Sequence, residues 1–241
     1  MQKEKILIPV SETFYSIQGE GQTMGVPAVF LRLGGCNLWC ESSCWRCDTI
    51  EVWTKSVAKP LEECLPPEDL MWLTLEGNNA HLVITGGEPL LHQEKVVKLI
   101  QYLNEVCKKK IVVEIETNGT ILPSKELLEL VSYWNCSPKL STSGEKNTFE
   151  KRVNVDVLKL LSQQNEKTIF KFVVSEISET EEIKKDFLPH VLSSQIVLMP
   201  AGSTQEELNK TRQRVMAMCK LLSVRYSDRL HIVGWDKKTG V

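Results

Sequence analysis

The sequence predicts an α/β domain in which parallel strands alternate with crossover helices, and three observations carry that prediction. Through the C-terminal two thirds, a short β-rich run is followed by a helical pattern four times over. The chain of 241 residues, 42% hydrophobic, is long enough for one domain (1–241) with a sizeable core, and no linker, repeat or low-complexity tract divides it. The Gly-rich and polar signatures fall just after the predicted strands, where α/β folds bind ligands.

The elements follow in order. AVFLRL (28–33) reads as the first strand of the parallel set, and KPLEECLPPEDL (59–70) as a loop leading into a helix. HLVITG (81–86) then HQEKVVKLIQYLNEVC (92–107), and IVVEIET (111–117) then SKELLELV (124–131), are strand and helix pairs. WNCSPK (134–139) adds a strand. TIFKFVV (168–174) with TEEIKKDF (180–187), and QIVLMP (195–200) with TQEELNKTRQRVMAMCKLL (204–222), complete about six strands, and RLHIVGW (229–235) is a candidate for one more. A partial barrel and an open sheet both fit, because buried parallel strands read alike in either.

Composition excludes several function classes. A formal net charge of -2 offers no basic excess to hold a polyanion, so no nucleic-acid partner is expected. The apolar runs are too short to span a bilayer, and MQKEKILIPV lacks a signal-peptide apolar region, so a cytoplasmic protein without a membrane partner is expected. Reduced thiols are expected for the eight cysteines, since disulfide scaffolds are usually small domains short of core. Cys64, Cys107, Cys136 and Cys219 are scattered and read as packed thiols.

Cys36, Cys40, Cys44 and Cys47 fall within twelve positions between a strand and a helix. Thiolates suit zinc and iron–sulfur clusters, but a zinc knuckle normally places its ligands on paired motifs with a longer spacer between them. Gly86-Gly87-Glu88-Pro89 follows the next strand of the set, with glycines that let backbone approach a ligand and a carboxylate able to accept from an ammonium.

At these residues the chain resembles the radical S-adenosylmethionine (SAM) superfamily, whose three cysteines follow the first barrel strand with the spacing Cys-x3-Cys-x2-Cys. The resemblance implies a single-domain partial (β/α)6 barrel with a cluster-binding loop after the first strand, and a 4Fe-4S cluster and SAM as cofactors. The spacing here departs from that signature by an insertion. Because Cys44-Trp45-Arg46-Cys47 keeps the paired end, the resemblance implies Cys36, Cys44 and Cys47 as ligands, with Cys40 spare. It also implies SAM contacts from Gly86, Gly87, Glu88, Glu116, Asn118, Ser137 and Lys139.

Glu12-Thr13-Phe14-Tyr15-Ser16-Ile17-Gln18-Gly19-Glu20-Gly21, Arg32 to Trp39, Cys47-Asp48-Thr49 and Leu230 to Trp235 together make the chain similar to the 7-carboxy-7-deazaguanine synthase family over nearly its whole length. That likeness implies a lyase converting 6-carboxy-5,6,7,8-tetrahydropterin to 7-carboxy-7-deazaguanine, with a Mg2+ ligated by Thr49. Gln18 and Glu20 suit a pterin ring edge and Arg32 its carboxylate. Thr85 is placed to reach cofactor or substrate, and His231 matches a position near the substrate pocket. An electron donor such as flavodoxin and a homodimer are the implied partners. Rival readings are another radical SAM enzyme, such as a glycyl-radical activase, and a zinc-stabilised binding module. His81 and His92 read as surface or capping residues.

Overall fold

The structure, a computed structural model, describes residues 5–42, 46–238 and 240. Its strands are β1 (Leu7–Ile17), β2 (Pro27–Leu33), β3 (Val57–Pro60), β4 (His81–Gly86), β5 (Val113–Thr117), β6 (Tyr133–Cys136), β7 (Thr168–Val174), β8 (Ile196–Pro200) and β9 (Arg225–Tyr226). The helices are α1 (Ile50–Trp53), α2 (Pro67–Thr74), α3 (Gln93–Cys107), α4 (Lys125–Leu130), α5 (Phe149–Arg152), α6 (Val155–Ser162), α7 (Glu179–Glu182), α8 (Gln205–Leu222) and α9 (Leu230–Trp235).

One sheet holds all these strands in the order β3-β1-β2-β4-β5-β6-β7-β8-β9. From β2 to β9 each neighbour is parallel, while β1 runs antiparallel to both β2 and β3. The order does not close: β3 and β9 are its two ends. This is an α/β fold with an open sheet, the partial-barrel architecture expected, and the six predicted parallel strands are β2 and β4 to β8.

Helix boundaries follow local chemistry. Ser124 caps α4 by accepting from Leu127 N, and Thr204 caps α8 by accepting from Glu207 N at 3.1 Å. Lys108 ends α3 in the left-handed region, φ 51°, the turn that stops the helix.

Two expectations are corrected. RLHIVGW forms α9 instead of a strand: β9 occupies the place beside β8, and Ile232 N and Val233 N turn back to bond Arg229 O at 3.0 Å each. All of β1 (Leu7–Ile17), which the sequence did not mark as a strand, joins the sheet, pairing with β2 from Glu12↔Arg32 to Ile17↔Pro27 and with β3 from Leu7↔Pro60 to Val10↔Val57.

Because strand side chains alternate, the sheet has two unlike faces. One packs Val29, Leu31, Leu33, Leu82, Ile84, Val113, Ile115, Phe170 and Phe172 into the main core. The other carries a small apolar floor, Ala28, Phe30 and Val83 with Phe14, whose ring stacks on Phe30. Beside that floor stand Arg32, His81, Thr85, Glu114, Glu116, Asn135 and Lys171, polar groups that the main core cannot take. No described helix is long and apolar enough to cross a membrane.

Candidate active site

The cysteine loop leaves the carboxyl end of β2 through Gly34 and Gly35. It is braced by Gly34 N to Pro9 O at 2.8 Å and by Gly35 N to Trp53 O at 3.2 Å. The GGEP turn packs onto it backbone to backbone, with Gly87 N donating to Leu33 O at 3.2 Å and Glu88 N to Gly35 O at 2.9 Å. A Cβ on Gly87 would lie 2.1 Å from Gly35 O and 2.7 Å from the Cys36 Cβ, and Gly86 adopts φ 148°. Those two glycines are therefore needed for the close approach of β4 to the cysteine loop, whatever else they bind.

Within the loop, Cys47 N bonds Cys40 O at 2.9 Å and Glu41 bridges Arg46 in antiparallel fashion. Cys44, expected as a cluster ligand, lies outside the described residues. The Asn147 amide donates to Cys40 Sγ at 3.6 Å, and Asn118 Nδ2 lies 4.0 Å from Cys36 Sγ. Burial pushes the Cys36 thiol up to about 11, against a Leu38 backbone bond and the Lys139 charge, which pull it down. Cys40 is raised by burial too, with Lys139 opposing. A half-buried Cys36 and Cys47, amide donors beside the sulfurs and a facing cation make a donor set that fits a thiolate-held iron–sulfur cluster, whose binding displaces the thiol protons.

The neighbouring stations are tied together. Glu88 has no solvent exposure; its oxygens accept from Leu90 N at 3.0 Å, Thr117 Oγ1 at 2.8 Å and Asn118 N at 2.7 Å, and burial pushes its carboxyl up. Glu88 thus staples the end of β4 to the end of β5. Asn118 donates to Asn37 Oδ1 at 2.9 Å, linking β5 to the cysteine loop, and accepts from Thr120. Lys139 donates to Ser137 Oγ at 3.2 Å. Thr85 Oγ1 donates to Glu116 Oε2 at 2.8 Å, and Gln18 Nε2 reaches Glu116 Oε1 at 3.4 Å.

The loop after β1 lies against the same polar face of the sheet. Gln18 is 1% exposed, and its side-chain oxygen accepts from Glu20 N at 3.2 Å. Glu20 pairs with Lys171 through one oxygen and with Arg229 Nε at 2.9 Å through the other. Burial works to raise the Glu20 carboxyl, but Lys171 and Arg229 outweigh it and hold it well below the usual range. His231 Nε2 stands 3.9 Å from Glu20 Oε1, and burial lowers its imidazole. Arg32 sits opposite Glu12 on β1 and donates to it through Nε at 2.7 Å, the acidic neighbour a structural arginine would have. Thr49 precedes α1; its hydroxyl makes no capping bond and lies 3.5 Å from Cys47 Sγ.

Several participants escaped sequence reasoning. Lys171, Glu114, Arg229 and Asp48 all join this network. Glu114, fully buried on β5, accepts from Thr23 at 2.7 Å and Asn135 at 3.0 Å and meets His81 Nδ1 at 2.5 Å. His81 is 9% exposed and pairs with that carboxylate, so it is neither a surface nor a capping residue. The available signal was period-two polarity inside strands that otherwise read as buried: His81 and Thr85, Glu114 and Glu116, Asn135, and Lys171.

A thiol-rich loop at the carboxyl end of the first parallel strand, beside the polar face of the sheet, has the chemistry of an enzyme that carries an iron–sulfur cluster. A family model described as a 4Fe-4S single cluster domain matches residues 17–137, half of the chain. The chain is 33% identical to the 7-carboxy-7-deazaguanine synthase of Halobacterium salinarum, over 95% of this chain and 91% of that one. It is 32% identical to the synthase of Pyrobaculum aerophilum, over 97% of each chain, and 34% identical to that of Rhodopirellula baltica, over 96% of this chain and 88% of that one. Escherichia coli QueE has the same fold, with a TM-score of 0.63 and 24% identity over 93% of this chain and 95% of that one. The chain belongs to the 7-carboxy-7-deazaguanine synthase family. It is accordingly a lyase of the radical SAM type, and its cofactors are a 4Fe-4S cluster and SAM.

Proposed function

We propose that the chain converts 6-carboxy-5,6,7,8-tetrahydropterin to 7-carboxy-7-deazaguanine by ring contraction with loss of ammonia, and that the polar face of the sheet towards the carboxyl ends of β2, β4, β5 and β6 is where it does so. The observation that carries this reading is the convergence of Gln18, Glu20, Thr85, Glu116 and His231 in one hydrogen-bonded and charged group beside the cysteine loop. Its donors and acceptors match the edge of a pterin ring, and carboxylates accept more bonds than the protein itself gives them.

Bound together, the cluster and SAM supply the radical that starts such chemistry. The chain's own share is to hold and orient. Cys36 and Cys47 belong to every candidate ligand set. The third ligand is Cys44 on the spacing of the Cys-x2-Cys pair. A second reading takes Cys40, which is buried, accepts from Cys47 N through its backbone at 2.9 Å and receives the Asn147 amide at its sulfur. Gly86 and Gly87 give SAM close access to backbone, with Glu116, Asn118, Ser137 and Lys139 around it, and Glu88 acts from behind by fixing that turn. A one-electron donor such as flavodoxin, assembly as a homodimer and a cytoplasmic location complete the proposal. Anaerobically reconstituted protein given SAM, a reductant and the carboxypterin should release 7-carboxy-7-deazaguanine, identified by mass; cleavage of SAM with no change in the pterin would reject the substrate.

Two variants test individual roles. Thr49 is free of capping duty, and one protein oxygen with substrate oxygens and waters is a usual Mg2+ shell. Thr49→Val should lower turnover and blunt its Mg2+ stimulation while the cluster absorbance stays as it was; an undiminished Mg2+ response rejects the role.

Arg32 tests substrate recognition. Its Nε serves Glu12, while the guanidinium has further donors for a substrate carboxylate. A charge-assisted bond is worth about 1.5–3 kcal/mol, so Arg32→Gln should weaken pterin binding by about one to two powers of ten at about 1.4 kcal/mol per decade. SAM affinity should hold. An unchanged pterin constant would make Arg32 a cross-strand partner of Glu12 and nothing more.

A further inference from the structure

The loop from Gln18 to Gly21 reaches the site from the antiparallel edge of the sheet, whereas the cysteine loop belongs to β2, and something must fix one relative to the other. Arg229, in the segment between β9 and α9, contacts both. Its Nε donates to Glu20 Oε1 at 2.9 Å, its Nη1 to Gly202 O at 2.6 Å, and its Nη2 pairs with Asp48, between the cluster ligand Cys47 and Thr49. The next residue adds a backbone tie, Leu230 N to Gly19 O at 2.8 Å. The loop and the imidazole that follows are in close contact: a Cβ on Gly19 would lie 2.3 Å from His231 Nδ1.

Charge alternates along this line, from Lys171 through Glu20 and Arg229 to Asp48. The guanidinium is 13% exposed, so its pair with the equally buried Glu20 is little screened, while Asp48 at 41% is open to solvent. These bonds tie the segment after β9 to the loop after β1, whose Glu20 also pairs with Lys171 on β7. A planar fork can hold two carboxylates and a carbonyl at once, which a lysine ammonium on the same stem is poorly shaped to do.

We infer that Arg229 is a positioning residue for the reaction: it sets the Gln18–Gly21 loop in register with the Cys47-Asp48-Thr49 element, without contributing a group to the chemistry. This rests on the pterin reading above for its consequence, but not for its geometry. Two readouts keep them apart. Hydrogen exchange on the reconstituted holoenzyme, with no pterin present, should speed up in Arg229→Gln in peptides covering 18–26 and 47–53 and stay at the wild-type rate in α3. Carboxypterin affinity should fall about tenfold or more, as expected when a buried charge-assisted bond is lost, while iron content and SAM affinity hold within about twofold. Arg229→Lys should recover part of the loss. Asp48→Asn, at an exposed side chain that folding tolerates, should show the same pattern more weakly, and combining it with Arg229→Gln should add little because the two act as a unit. Unchanged exchange in both peptides overturns the inference, as do additive effects of the two substitutions or an equal loss of iron, SAM and pterin binding. If exchange responds as described but even the wild type binds no carboxypterin, the positioning role stands and the substrate reading fails.

Discussion

Cys36→Ala and Cys47→Ala should each yield chain that retains almost no iron after anaerobic reconstitution and forms no 5′-deoxyadenosine from SAM. The expected loss is complete, not graded, because a cluster held by two thiolates lacks an anchor and the spare cysteine of the loop belongs to a different position in the spacing. The remaining pair decides the ligand set. If the Cys-x2-Cys spacing rules, Cys44→Ala loses the iron and Cys40→Ala keeps it. If the packing rules, the order reverses, since Cys40 is buried and receives the Asn147 amide at 3.6 Å. Iron and sulfide content with the visible absorbance of each variant measures this, and a cluster that survives both Cys36→Ala and Cys47→Ala would remove the loop from the site altogether.

Glu88→Ala should be the most damaging change away from the cysteines. It strands Leu90 N, the Thr117 hydroxyl and Asn118 N in a place without solvent, and each buried donor left unpaired costs about 1–3 kcal/mol. The sum is a large part of the about 5–15 kcal/mol that holds a typical domain together, so the melting temperature should fall by many degrees. Glu88→Gln separates two roles. A carboxylate that meets SAM directly would lose SAM affinity on amidation with stability little changed. The staple seen here instead predicts that both fall together, because the amide introduced by Glu88→Gln cannot accept all three bonds and its NH2 faces donors. Denaturant melts and SAM titrations on the same protein distinguish the outcomes; a stable Glu88→Gln variant with weakened SAM binding would return Glu88 to the role its motif suggests.

Much of the fold was legible because its signals are local. A run such as TIFKFVV buried on both sides, or a Ser or Thr ahead of an amphipathic stretch, depends on neighbours in the chain, and β7, α4 and α8 formed where those signals lay. RLHIVGW was misleading because a short run of mixed polarity suits a strand or a brief helix, and only the occupancy of the sheet edge by β9 chose between them. β1 was missed for a related reason: its alternation is shallow, and its pairing partner, β2, lies across a long loop.

At the site the division is sharper. The cysteines and GGEP could be read from residue type and spacing, since metal ligation and close backbone approach demand particular residues at fixed intervals, whereas the Gln18–Glu20 loop and Thr49 were marked by the resemblance to a family. Residue type and interval marked a thiolate site and a close backbone approach, and the resemblance implied the class of chemistry and the residues expected to touch cofactor and substrate. It took the folded chain to select which of them the protein keeps for itself: Glu88 as a staple between two strand ends, Arg32 opposite Glu12, and Glu20 held between Lys171 and Arg229, partners 151 and 209 positions away. A carboxylate's partner depends on which charged group the fold brings within about 4 Å, and no interval along the chain encodes that distance.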